Sequence, residues 1–552
     1  MSLRFGATVA WRIQQAVRQY WRNGVLCLML AVLLANIWGD SLDLRKHGEP
    51  VSPRYYYYGI PLALSEIVYG RPRDYVGYKR VSNEFLNVFP PPRSDNVDLI
   101  IKKGSTIPAE EVQRSADWFI PGDDKGAVDF VRLAFWIFEV EYASLYKCYF
   151  GLLCIGILTY VMAFFKDLAR LVFLALFLCS YYVFLFVIPL SDQLASILQP
   201  RFFDVLSVVP FCHLAFLLLD RHRWTVFHIV LACVQVSLLL FVIHARSSAM
   251  WQVHCLGVIV AGRILRTLHQ QEVGGMWARL GAAGRATLAW IWPVGIVLMG
   301  VGALDLYKRA SYHQSYFHDR GTNHIVWHNV LMGMSAHPGL AERYELPFMD
   351  DAATRAVKRW LLEHHDMDTL QGLFANPSLL ENNFEGFNWV LYEPIARHVC
   401  WDICREAPRQ VAATFLVYKP LVFWNTLLWT AGNGSGEAVT PPGGVQIASD
   451  SARNAADLYL KPFRAVPIGI LLCVLLLRPT EVRGKLTSCV MVIALAFVGS
   501  AVPGILVVPF IHYIGVSLIL LLMLGYLLAL AVATAVVDRL AVRMRHGASV
   551  GE

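Results

Sequence analysis

Two runs near the C-terminus, Leu486–Val508 and Ile511–Val537, contain no Asp, Glu, Lys or Arg. A bilayer core about 30 Å thick needs about 20 apolar residues per helix, and each run is long enough. Backbone amides in hydrocarbon must be satisfied within their own segment, so such runs can only be helices. Comparable runs recur upstream at Asn23–Gly39, Leu145–Phe165, Leu171–Leu190, Phe203–Leu219 and Thr225–His244. Shorter or less regular ones lie at Trp251–Ile264, Ala286–Leu304 and Ala465–Leu477. The pattern predicts an all-α polytopic membrane protein of about ten transmembrane helices. Composition agrees: 56% of residues are hydrophobic and 16% charged, against about 45–50% and about 25% for soluble chains.

Basic residues orient the spans. Arg4, Arg12, Arg18 and Arg22 precede the first. Alternation then puts Lys166 and Arg170, Arg221 and Arg223, Arg263 to Arg285, Arg483 and Lys485, and Arg539 to Arg545 on one side. By the positive-inside rule that side is cytoplasmic, with both termini on it. The expected setting is the inner (plasma) membrane. Topology accounts for the net charge of +7, so no nucleic-acid partner is needed. The expected domains are a basic N-terminus (1–22), the first span (23–39) and a long extracytoplasmic loop (40–144). Spans two to seven (145–304), a mostly helical second extracytoplasmic domain (305–464), spans eight to ten (465–537) and a basic tail (538–552) follow.

The first outer loop carries a distinctive stretch, GDDKGAVDFVRLAFWIF, Gly122–Phe138. Asp123 or Asp124 is placed to cap the helix that follows, because Asp at an N-terminus satisfies free amides and suits the dipole. That helix reads as interfacial, with Val128, Val131, Phe135 and Phe138 near one face and Asp129 and Arg132 to the side. Upstream, NVDLIIKKG (Asn96–Gly104) reads as a short strand. In the second outer domain, Val417–Trp429 reads as a short apolar helix dipping into the interface.

Other polar residues mark the outer ends of spans. Arg246 lies in the tight turn HARSSAMW, and Arg201 in QPRFFD. Either guanidinium can hold a phosphate through its bidentate fork, or anchor the interface by snorkelling. His328 and Asn329 fall in a His-rich segment of the second domain, as substrate contacts or packing residues. Tyr392, Glu393 and Arg397 invite similar readings, with a Glu393–Arg397 intrahelical pair the simpler one. Cys400 and Cys404, one helical turn apart, can pair in an oxidising compartment. No CxxC, Walker loop or Rossmann glycine pattern occurs, which argues against thiol-redox, P-loop and dinucleotide-binding functions.

The layout resembles the GT-C superfamily of membrane glycosyltransferases. The shared features are a cytoplasmic N-terminus, many helices and a long first outer loop. In that loop a motif of paired acids precedes small and apolar residues, as in GDDKGAVDFVRLAFWIF. A late outer turn with proline and a His-Tyr pair, VPFIHYIGVSL, adds His512 and Tyr513. The resemblance implies transfer of a sugar from a polyprenyl-phosphate-linked donor to an extracytoplasmic glycan, lipid or protein acceptor. Asp124, Asp123 or Asp40 would supply the base or metal ligand. Asp40, in WGDSLDL, competes because the superfamily's motif lies close after the first span. The cofactor is left open, a divalent cation being compatible. Two alternatives stand beside this reading. One is a polysaccharide polymerase or O-antigen-ligase-like enzyme centred on outer-loop arginines. The other is a transporter or flippase component, against which the scarcity of acids within spans argues.

Overall fold

The computed structural model describes residues 2–46, 59–60, 63–64, 67, 78–79, 98, 101, 119–120, 125–187, 198, 200–219, 225–269, 276–312, 326–346, 351–373, 389–433, 479–507 and 511–549. Eight helices among these are long and apolar enough to cross a membrane: Tyr20–Leu42, Tyr142–Phe164, Leu168–Phe186, Val226–Ala245, Ser247–Arg266, Pro408–Leu428, Lys485–Leu506 and Ile514–Val536. Seven coincide with runs read from the sequence. Phe203–Leu219 is a shorter apolar helix, and 286–304 lies within a 36-residue helix that is not among the eight. The run 465–477 lies outside the described residues.

In chain order the helices are α1 (Ser2–Lys46), α2 (Gly126–Ile137), α3 (Tyr142–Phe164), α4 (Leu168–Tyr182), α5 (Val208–Leu219), α6 (Val226–Ala245), α7 (Trp251–His269) and α8 (Met276–Ser311). The polar interval holds α9 (Val326–Met334), α10 (Pro338–Arg343), α11 (Asp351–Glu363), α12 (Met367–Leu373), α13 (Trp389–Glu406) and α14 (Pro408–Ala413). Then come α15 (Lys419–Asn433), α16 (Pro479–Leu506) and α17 (Ile511–Ser549). A two-residue ladder pairs Tyr78–Lys79 antiparallel with Phe119–Ile120. The NVDLIIKKG strand is not found, since Asp98 and Ile101 are helical.

Local chemistry sets several boundaries. Asp167 and Thr225 cap α4 and α6 by accepting the amides of Arg170 and His228. Pro338 and Pro408 occupy first turns, where a missing N–H costs nothing. Helices α10 and α11 end in Schellman turns. Leu346 N–H bonds Ala341 O, and Asp366 N–H bonds Leu361 O. The left-handed positions fall on Glu345 (φ 47°) and His365 (φ 54°). Glycine is the usual choice there, and a side chain costs about 1 kcal/mol.

Two apolar cores result. The larger joins α1–α8 to α15–α17. The smaller belongs to α9–α14. Arg170, fully buried, ties the larger core near one end. Its guanidinium lies 3.6 Å over the Phe216 ring and donates to Ser488 Oγ at 3.0 Å.

The segment Val417–Trp429 is longer and more enclosed than its sequence suggests. It belongs to the apolar helical run Pro408–Leu428, and Phe423 and Leu427 are buried in the larger core. Thr414–Tyr418 forms a π-turn, which brings Lys419 inward. Its Nζ donates to Leu506 O and Val507 O, both at 3.0 Å, and lies 3.9 Å from the Phe415 ring. The amino group thus satisfies carbonyls that α16 leaves open at its C-terminus. Gly333 of α9 touches the same point, because a Cβ there would stand 2.0 Å from Val507 O.

Candidate functional site

The second glycine of GDDKG opens α2 and fixes its position. A Cβ on Gly126 would fall 2.2 Å from the carbonyl carbon of His244 and 2.3 Å from Ala245 N. Only a hydrogen fits, so α2 lies directly on the end of α6. The helix is not the interfacial element expected from its pattern. Gly126–Val131, Ala134 and Phe135 are buried, and only its last residues, with Trp136 80% exposed, face outward.

This contact brings Asp129 to His244, 115 positions away. Asp129 Oδ2 lies 2.9 Å from His244 Nε2, and Oδ1 accepts from Lys125 Nζ at 2.7 Å. Arg132 Nη2 approaches Oδ1 at 3.3 Å from the surface side. Lys125 is fully buried, and Asp129 and His244 nearly so. Burial alone would raise the Asp129 carboxyl. The His244 bond and the Lys125 charge outweigh it and hold the group below its usual range. An ionised carboxylate only accepts, so Nε2 carries the hydrogen and a neutral ring keeps its lone pair on Nδ1. Nδ1 is buried without a hydrogen-bond partner. Tyr307 packs edge-on against the ring at 5.9 Å.

A cavity of about 690 Å³ opens on this cluster. Asp129, Arg132, His244 and Tyr307 line it together with Ile67, Leu133, Trp136 and Phe241. It is therefore an apolar-walled space with a small polar floor, in which Arg132 is the one cation among the described lining residues and Lys125 lies buried behind Asp129.

A second polar group flanks the same end of α6. Arg246 caps α6, and its Nε donates to Ser248 Oγ at 3.1 Å. Asp204 is buried within electrostatic reach of Arg246. Its Oδ2 lies 3.5 Å from Trp251 Nε1, and its backbone carbonyl accepts from Gln252. Phe130, next to Asp129 in α2, packs edge-on against Phe203, next to Asp204, at 4.8 Å.

The other expected residues are distributed as follows. Asp123 and Asp124 lie outside the described residues. The N-cap position falls on Lys125, not on either of them. Asp40 is half-buried in α1 and accepts from Tyr182 OH at 2.7 Å. Arg201 lies on the 3-10 turn Pro200–Ser207, and His512 and Tyr513 in the first turn of α17. His328 and Asn329 sit on α9, His328 buried with Nδ1 2.9 Å from Tyr392 OH. Glu393 does not act as the partner of Arg397. Its carboxylate accepts the amides of Trp327 and His328 at 3.0 and 3.1 Å, capping α9 from another helix. Cys400 and Cys404 are both free thiols. Among the described residues, no group of three or more His, Cys, Asp or Glu is placed to hold a metal ion.

Sequence reasoning passed over Lys125, Asp129, His244 and Tyr307. One usable signal was present. His244 ends an otherwise uncharged span, and ionisable groups at such positions are commonly functional. Comparisons with models of known protein families, with curated proteins and with solved structures return no match.

Proposed function

We propose that this chain is a membrane glycosyltransferase that moves a sugar from a polyprenyl-phosphate-linked donor to an extracytoplasmic glycan, lipid or protein acceptor. The observation that carries the reading is the buried Asp129–His244 pair, with Arg132, on the floor of an apolar-walled cavity. The walls suit a polyprenyl chain, and the partly exposed Arg132 guanidinium suits its phosphate.

The roles follow from the chemistry of each group. Both Asp129 oxygens are engaged and its carboxyl is held down, which makes it a poor base. Asp129 instead fixes the tautomer and orientation of His244. His244 Nδ1, closed off in this structure, is uncovered as the acceptor seats and takes the proton of its hydroxyl while that oxygen bonds to the anomeric carbon. The carbon–oxygen bond to phosphate breaks, and polyprenyl phosphate departs with the electron pair. Arg132, partly exposed at the cavity, meets the departing charge with its guanidinium fork.

The test uses purified full-length protein in nanodiscs. His244→Gln should lower transfer from a lipid-linked sugar by roughly a hundredfold or more without changing affinity for undecaprenyl phosphate. Arg132→Lys should weaken that affinity. Wild-type protein with no affinity for undecaprenyl phosphate would overturn the function. Full turnover in His244→Gln would remove the base.

A further inference from the structure

A second cavity, of about 540 Å³, lies in the smaller core's outer face between α11 and α13. Trp360 and His364 stack along one edge, 4.0 Å apart and 24° from parallel. Trp360 Nε1 donates to Asp402 Oδ2 at 3.0 Å, which fixes the indole in the wall. On the opposite rim Arg343 Nη2 and Tyr344 OH both donate to Glu406 Oε2, at 3.0 and 2.8 Å. Arg343 and Glu406 are each about half exposed, so the pair is presented to solvent.

The chemistry of this rim selects its ligand. Its charges are already matched, so a cation or an anion would gain one partner and meet a like charge beside it. An apolar ligand would strip water from carboxylates and guanidinium groups without replacing their bonds. A hydroxyl both donates and accepts, so it can add to a carboxylate oxygen and to a free guanidinium N–H at once. Flat rings and a small apolar floor accept the C–H faces of a pyranose. The volume is that of a small-ligand pocket. We infer that the groove between α11 and α13 binds a carbohydrate, the saccharide of the acceptor. The second half of that statement rests on the transferase reading.

The test is saturation-transfer NMR on the full chain in a detergent without a sugar head group, using maltotriose and chitotriose as separate probes. At least one should receive saturation, strongest on its ring protons. Arg343→Met lies on the exposed rim, and Trp360→Phe keeps the packed ring while losing the Asp402 bond. Each should weaken binding roughly tenfold, which is 1.4 kcal/mol. No saturation of either trisaccharide would overturn the inference, as would unchanged binding in both variants. His244→Gln should bind the trisaccharide normally. A protein that binds saccharide but not undecaprenyl phosphate would keep the groove and remove the transferase.

Discussion

Replacing Gly126 by alanine should break the candidate site without touching any polar group in it. The added Cβ would meet three backbone atoms of His244 and Ala245, at 2.2, 2.3 and 2.4 Å. None is the end of a flexible side chain, so relief requires α2 to move off α6. Ordinary carbon contacts need about 3.5 Å, so the shift exceeds one ångström. A shift of that size stretches the 2.9 Å bond from His244 to Asp129 beyond hydrogen-bond range. Overpacking costs about 1–3 kcal/mol, and a lost bond to a charged group about 1.5–3. The variant should therefore lose about 3 kcal/mol or more, with transfer falling as far as in His244→Gln. The assay is thermal unfolding of full-length protein in detergent, run beside Gly257→Ala. Gly257 has nothing within 4 Å of its Cβ position, so alanine there should be neutral or stabilise by up to about 1 kcal/mol. Equal melting temperatures for Gly126→Ala and wild type would refute the close contact of α2 with α6.

Three further outcomes are expected. Burial raises the Glu393 carboxyl above its ordinary value, although the α9 amides oppose this. The folded state then holds the proton longer than the unfolded one. Stability should fall as pH rises from the usual carboxylate value to the raised one, and level off above it. Glu393→Gln should flatten that slope and cost about 1 kcal/mol from its weaker cap; a slope unchanged in the variant sinks the assignment. Lys419→Met should cost about 2 kcal/mol by opening two hydrogen bonds to carbonyls at the end of α16, and an unshifted unfolding transition would contradict it. If Pro408–Leu428 crosses the bilayer, reporters fused at Gly432–Gly444 should read on the same side as those after Arg483; opposite readings would leave the crossing to 465–477.

The apolar helices were legible because hydrocarbon burial leaves a continuous, local signature. Pro408–Leu428 was underestimated because Arg409, Gln410 and Lys419 interrupt its run. What makes Lys419 tolerable, a pair of carbonyls nearly 90 residues later, has no local trace. The GDDKG stretch runs into the cluster, and only its last two members, Lys125 and Gly126, lie among the described residues. Its paired acids draw attention as a cap. Lys125 serves as a counter-ion to Asp129, and Gly126 leaves empty space for α6. Asp129 read as a flank residue because its partner lies 115 positions away. Glu393 offered a satisfying intrahelical partner four residues on, yet the amides of α9 claim it. Periodicity reports which face is apolar. It does not report which helix end will arrive to meet a charge.

The passage from α13 to α15 bears on how the two cores respond to load. Hydrogen bonds continue through the break at Ala407, whose N–H reaches Ile403 O and whose carbonyl receives Val411 N–H. The π-turn then carries the ladder into α15, and Lys419 bolts it to the top of α16. Two helical stretches, Trp389–Glu406 and Pro408–Asn433, thus run from the wall of the groove into the helix pack, joined at the single non-helical residue Ala407. A load on α13 would therefore reach the last two spans through one fixed point, Lys419 on the carbonyls of Leu506 and Val507, with Ala407 as the place where the path can bend.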